Sequence, residues 1–181
     1  LVMEHRQIIS IENATMGYKK SGSAYEVIKN ANLEFYPGDF IGIVGLNGIG
    51  KSTFLKSLCG LLPLLSGRLK IEGSLIEALS LHALSKKISI VLTEKITGFN
   101  LTAFDVVASG QMPYTDAFNK LNKDHLNIIN TAINQCGLEL HSHKPLNELS
   151  DGLFQKTIIA KSLAQQTPIM LLDEPSAFLD Y

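Results

Sequence analysis

Gly45-Leu46-Asn47-Gly48-Ile49-Gly50-Lys51-Ser52 has the spacing G-x-x-x-x-G-K-[ST] in full. That order suits a polyphosphate. Glycines let the backbone curl so that successive N–H groups point at phosphate oxygens. A helix starting at the end of the loop would aim its positive dipole end at the same anion. Lys51 would reach the β- and γ-phosphates, and the Ser52 hydroxyl is a ligand type suited to Mg²⁺. The candidate cradle is therefore Gly45, Asn47, Gly48, Gly50, Lys51, Ser52 and Thr53. A second candidate cluster lies far along the chain, where the apolar run Ile169-Met170-Leu171-Leu172 leads directly into Asp173-Glu174. Acidic residues often end strands without any function. Downstream of an intact phosphate loop, Asp173 is expected opposite Ser52 in the Mg²⁺ shell, with Glu174 one residue further out, where a carboxylate can polarise an attacking water.

Positioning these groups calls for strands and helices in a particular order. Ile8, Ile9 and Ile11 suggest a strand, and Asn32 to Tyr36 another, closed by the turn pair Pro37-Gly38. Phe40-Ile41-Gly42-Ile43-Val44 reads as a short strand buried on both faces, immediately before the loop. Phe54, Leu55, Leu58 and Leu62 follow at helical spacing within Lys51 to Leu62. Arg68 to Gly73 is a short alternating strand with a glycine stop, and Ile88 to Leu92 a further apolar run. Residues 101–144 change character and read as helical. Thr102 with Asp105 has capping-box spacing. Leu126, Ile129, Ile133 and Cys136 form one stripe, and Gly137 is a natural C-terminal stop. Ser150-Asp151 is expected to cap a helix running to about Gln166, with Pro168 ending it before a central strand, Ile169 to Leu172.

Composition narrows the function classes. A chain of 181 residues allows one core domain with a small inserted lobe. Hydrophobic residues at 45% and charged ones at 18% exclude a disordered chain. A net charge of −1 leaves no global basic field to hold nucleic acid by counterion release. Phe54 to Leu65 is the best apolar stretch, but Lys56, Gly60 and Pro63 break it well short of the ~20 residues a spanning helix needs. Leu1 to Arg6 contains no apolar leader core. Cys59 and Cys136 lack metal-ligand spacing and read as reduced core residues of a cytosolic protein. His141-Ser142-His143 offers two imidazoles without a third ligand, which reads as a solvated loop.

Between the two acidic and phosphate motifs stands Leu149-Ser150-Asp151-Gly152-Leu153-Phe154-Gln155-Lys156. It resembles L-S-G-G-Q-x-Q-[KR], the signature of ATP-binding-cassette (ABC) ATPases, and Pro175-Ser176-Ala177-Phe178-Leu179-Asp180 resembles their D-loop. Ser66-Gly67-Arg68 to Gly73 resembles the family's turn after the first helix. The resemblance covers nearly the whole chain. It implies an α/β fold, a P-loop NTPase core with an N-terminal antiparallel β part and a helical insertion at about 97–165, in a single nucleotide-binding domain, 1–181, that is C-terminally incomplete. It implies Tyr18 as the aromatic that stacks on adenine, and Ser150 and Gly152 as groups that approach the γ-phosphate on a partner subunit. Asp151 and Leu153 depart from the signature's glycine and glutamine. Thr93, followed by Glu94, stands where the family's Q-loop glutamine is expected, and no histidine occupies the switch position.

Ala108-Ser109-Gly110-Gln111-Met112-Pro113-Tyr114 is similar to the G-R-x-P-[YH] stretch of ATPases that serve iron-siderophore, haem and cobalamin importers. The resemblance thus implies an ATPase with ATP and Mg²⁺ as cofactors, paired with a second copy or a related ATPase around ATP. It further implies a peripheral position on the cytoplasmic face of a membrane, with residues 101–144 docked on a separate permease, and no nucleic-acid partner. The rival readings are an importer ATPase for another substrate, a non-transport cassette ATPase acting on DNA or ribosomes, and a nucleotide-binding module without turnover.

Overall fold

A computed structural model describes residues 6–20, 22–92, 100–116 and 118–174. Thr93, Glu94 and the D-loop-like stretch Pro175 to Asp180 lie outside the described residues. The chain forms two compact units, Leu1–Leu84 and Ser85–Tyr181.

The first unit is built on a four-stranded antiparallel sheet in the order β2-β1-β3-β4, with β1 Ile9–Lys20, β2 Ser23–Phe35, β3 Ser66–Ile71 and β4 Ser74–Leu75. β1 and β2 form a long hairpin whose register runs from Ile9 opposite Phe35 to Lys20 opposite Ser23. The sequence reading placed strands only at the open end of this hairpin, where Ile9 to Ile11 lie opposite Leu33 to Phe35. The middle is bent by irregularities near Asn13 and Asn30, both in the left-handed region at φ 46° and 49°. Asn tolerates that conformation better than most residues. The Asn32 side chain secures the bend: its Oδ1 accepts from the Asn13 N–H at 2.9 Å, and its Nδ2 donates to the Asn30 carbonyl at 3.0 Å. Ile9, Ile11, Ala14 and Met16 of β1 are buried together with Leu69 and Ile71 of β3. Helix α1, Lys51–Leu58, packs on β1 and buries Phe54, Leu55 and Leu58. It ends earlier than its apolar periodicity suggested, because Gly60 turns left-handed at φ 74°.

Phe40 to Val44 corrects the sequence reading. The run is in no strand, and it is not buried: Phe40 is 100% exposed and Val44 96%. Apolar side chains alone do not make a strand; each backbone N–H and C=O also needs a neighbouring strand. Among the described residues no ladder reaches this run.

A short helix α2, Leu81–Ser85, runs across the chain boundary between the units, and in the second unit β5, Ile88–Val91, pairs in parallel with β6, Ile169–Leu172, Ile88 lying opposite Ile169. The sequence reads Ile169 to Leu172 as a central strand. In the structure β5 is its one described neighbour, and Ile169 and Leu171 are buried while Met170 and Leu172 are partly exposed. Helices α3 (Ala103–Ser109), α4 (Lys123–Gln135) and α5 (Asp151–Ala164) pack mutually. Val107, Ile129, Ala132, Ile133, Leu138, Ala160 and Ala164 form their common core. Each helix start is fixed locally. Thr102 and Asp105 make the expected capping box, with the Thr102 hydroxyl accepting from the Asp105 N–H at 3.1 Å and the Asp105 carboxylate from the Thr102 N–H at 2.9 Å. Asn122 and His125 make a second box before α4. Ser150 caps α5, its Oγ accepting from the Leu153 N–H at 3.3 Å. Gly137 closes α4 at φ 65°, as its position in the sequence predicts.

Candidate functional site

The phosphate loop sits between the end of the exposed run and α1. Gly48 and Gly50 are left-handed, at φ 80° and 113°. At Gly50 the need for glycine is double: a Cβ there would also lie 2.4 Å from Val27 Cγ1. Gly50 is the N-cap of α1, and it brings no side-chain acceptor. The first turn also carries no acidic residue. The opening N–H groups of α1 are thus left without the side-chain oxygen that usually satisfies them, an arrangement suited to an anion. Lys51 bends back over the loop and donates from Nζ to the carbonyls of Gly45 and Leu46, at 2.9 and 3.1 Å. The ammonium therefore sits at the mouth of the curl made by its own loop, where it adds positive charge beside the free N–H groups.

Tyr18 joins this region by a route the sequence did not suggest. Its hydroxyl lies 3.1 Å from Thr53 Oγ1, linking β1 to the first turn of α1. Thr53 is buried, while Tyr18 is about half exposed. Within the first unit, Tyr18, Gly45, Asn47, Gly48, Gly50, Lys51, Ser52 and Thr53 belong to one neighbourhood around the start of α1.

The remaining candidates belong to the second unit. Ser150, expected to share the cap with Asp151, holds it alone, and Asp151 and Gly152 occupy the first turn of α5. A serine hydroxyl that accepts from Leu153 still has its own proton to donate. Asp173 follows β6, with its N–H donating to the Val91 carbonyl at 2.9 Å. It is 6% exposed, and among the described residues no hydrogen bond or ion pair reaches its carboxylate. A buried carboxylate without a protein cation fits a hard divalent ion well. Glu174 is exposed and held at φ 46°, a strained conformation for a residue with a long side chain.

Sequence reasoning passed over two buried amides. Gln155 is 1% exposed, and neither polar atom of its side chain has a partner. Gln111, equally buried, donates from Nε2 to the Ala164 carbonyl at the end of α5. No periodicity marks such residues, since polar side chains at these positions look like surface ones. Both cysteines are free, and burial pushes their thiols up. Among the described residues no cluster of His, Cys, Asp and Glu is arranged to hold a metal, and His143 instead stacks on Phe104 with ring centroids 5.8 Å apart.

A glycine-curled phosphate loop feeding a helix, beside an antiparallel sheet, with a helical bundle and a strand-end acidic pair in the other unit, defines an ABC-type ATPase cassette. Comparison with known proteins agrees. Residues 28–177 match the family model described as ABC transporter. An uncharacterized ABC transporter ATP-binding protein of Methanocaldococcus jannaschii is 39% identical over 173 residues, 96% of this chain and 58% of that protein. The ferric enterobactin transport ATP-binding protein of Escherichia coli is 32% identical over 169 residues, covering 93% of this chain and 61% of its own length. Among solved structures, a dimeric ATP-binding cassette in a post-hydrolysis state with ADP and Pi superposes with a TM-score of 0.82 at 28% identity, over 95% of this chain and 76% of that one. This chain belongs to the ABC transporter ATP-binding family. It spans only 58% and 61% of the lengths of those two relatives.

Proposed function

We propose that the protein binds and hydrolyses ATP to power import through a separate membrane permease. The observation that carries the reading is the start of α1: a full phosphate loop, a glycine N-cap with no acceptor, and the Lys51 ammonium folded over the loop. The phosphates would take the N–H groups from Gly48 to Thr53, with Lys51 swinging from the Gly45 and Leu46 carbonyls to the β- and γ-phosphates. Tyr18 would stack on the adenine. Ser52 and Asp173 offer a hydroxyl and a carboxylate, hard oxygen donors suited to Mg²⁺, which when bound neutralises charge building up between the β- and γ-phosphates. Glu174 would orient and deprotonate the attacking water. Ser150 and Gly152 of one copy would close on the nucleotide held by another, so that a dimer forms around ATP and reopens after hydrolysis.

The import direction and the cargo class rest on the Gly110–Tyr114 stretch and on relatives named for ferric enterobactin, iron(3+)-hydroxamate and cobalamin import. We infer a metal chelate as the cargo class. The helical part around residues 101–144 would dock on the permease at the inner membrane face. The test of turnover is Glu174→Gln in the full-length protein. This variant is expected to keep ATP affinity, to lose nearly all steady-state phosphate release, and to elute as a dimer with ATP and Mg²⁺. Parental turnover in the variant would refute the general-base role.

A further inference from the structure

We propose that Gln111 is a positioning residue, tying the exposed Met112–Tyr114 turn to the C-terminal end of α5 so that displacement of that turn is carried to β6 and the Asp173–Glu174 carboxylates. The inference rests on the ATPase reading and deepens it. Gln111 follows α3 and its C-cap Gly110 and is 1% exposed, whereas Met112 and Tyr114 of the turn that begins there are exposed. Its Nε2 donates to the carbonyl of Ala164, the last residue of α5. The two backbones meet here without slack, since a Cβ on Gly110 would lie 2.4 Å from the Lys161 carbonyl oxygen. Helix α5 begins at the Ser150 cap and is joined to β6 by only a short turn. That turn is pinned as well. Gln165 Nε2 donates to the Ser85 and Ile88 carbonyls, at 2.6 and 3.2 Å. The Thr167 hydroxyl lies 3.0 Å from Ser89 Oγ and donates to the Ile169 carbonyl at 2.8 Å. On the outer side, Lys86 stands over the Tyr114 ring, 5.4 Å from its centroid. A load on Met112 and Tyr114 therefore has one buried path inward, through Gln111 to the end of α5, and a weaker one through the exposed Lys86 to the start of β5. Both lead to the strand pair that ends at Asp173. A buried amide bonded to a carbonyl is costly to break, so this link moves as a unit.

The test compares Gln111→Met, which keeps the volume and removes the donor, with Gln111→Arg, which keeps N–H donors. Full-length protein is assayed for ATP turnover, and amide hydrogen exchange is followed in parallel. Gln111→Met is expected to lower kcat about tenfold, the worth of one buried hydrogen bond, with KM for ATP within about twofold of the parent. Amides from Gln165 to Asp173 should exchange faster while those of β1 and β2 keep the parental rate, and Gln111→Arg should restore both readouts. Parental exchange at Gln165 to Asp173 in Gln111→Met overturns the proposal. So does acceleration throughout the molecule, which marks a merely structural residue, or parental kcat alongside faster local exchange. If the parent itself shows no turnover, the ATPase reading fails separately. The exchange pattern then decides the link alone: acceleration confined to Gln165–Asp173 and reversed by Arg supports it, and any other pattern overturns it.

Discussion

Helix α1 of the first unit and helices α3, α4 and α5 of the second start in opposite ways. Thr102, Asn122 and Ser150 each place a side-chain oxygen on an opening N–H of the helix that follows. Gly50 places none, and its own conformation excludes the residues that would. A helix that serves only packing gains about 1 kcal/mol from such a cap. One that gives it up keeps its N–H groups available for something else. The three capped helices bury a shared core, whereas the uncapped one follows an exposed loop and carries Lys51 at its first position. The contrast is sharpest between the starts of α3 and α4, closed upon themselves by Thr102 and Asn122, and the start of α1, which is built to receive an anion.

Substitutions can sharpen or break this comparison. The largest effect on stability is expected at Ile129, which is fully buried among α3, α4 and α5. Ile129→Ala should cost about 2–5 kcal/mol in urea unfolding, because it removes apolar area and leaves a cavity. Phe40→Ser, at a position 100% exposed, should change stability by no more than ~0.5 kcal/mol. A large loss there would mean that the exposed run is packed after all. Next come the caps. Thr102→Ala and Asn122→Ala should each cost about 1 kcal/mol while leaving ATP affinity unaltered. Loss of affinity would place those caps in the site instead.

The smallest effect concerns acid. The hydrogen bond from the Thr102 hydroxyl, and after it the one from the Thr102 N–H, holds the Asp105 carboxyl below its ordinary value of 3.8. A lowered folded-state value means that this stabilisation is complete at pH values above 3.8, and is lost as the pH falls through the folded value. Because Asp105 is largely exposed, the contribution is modest and weakens with salt. Asp105→Asn should remove it. The gap between parent and variant in unfolding midpoint, clear at pH 7, should narrow toward pH 3, and a constant gap would show that the box contributes no charged hydrogen bond.

Features determined within a few residues were legible in the sequence. The phosphate loop, the Thr102–Asp105 box, the Gly137 stop and the start of α5 each depend on side-chain chemistry acting on the nearest backbone. Partners distant in sequence were not legible. Phe40 to Val44 has the composition of a buried strand, but composition does not supply the neighbouring chain that a strand needs. The β1–β2 pairing is legible at its open end but not its length, because Lys19, Lys20 and Tyr25 are exposed and polar or half-polar and the outer part shows little alternation. Tyr18 meeting Thr53 and Gln111 meeting Ala164 are contacts across 35 and 53 residues, and no local spacing announces them.

The central claim is that the open start of α1, with Lys51 above it, is the seat of ATP. Calorimetric titration of ATP with Mg²⁺ into the parent and into Lys51→Ala tests this most directly. Removing a cation that would make charge-assisted bonds to two phosphates, at about 1.5–3 kcal/mol per bond, should weaken binding by roughly a hundredfold or more, with the unfolding midpoint nearly unchanged. Equal affinity in the two proteins would contradict the account.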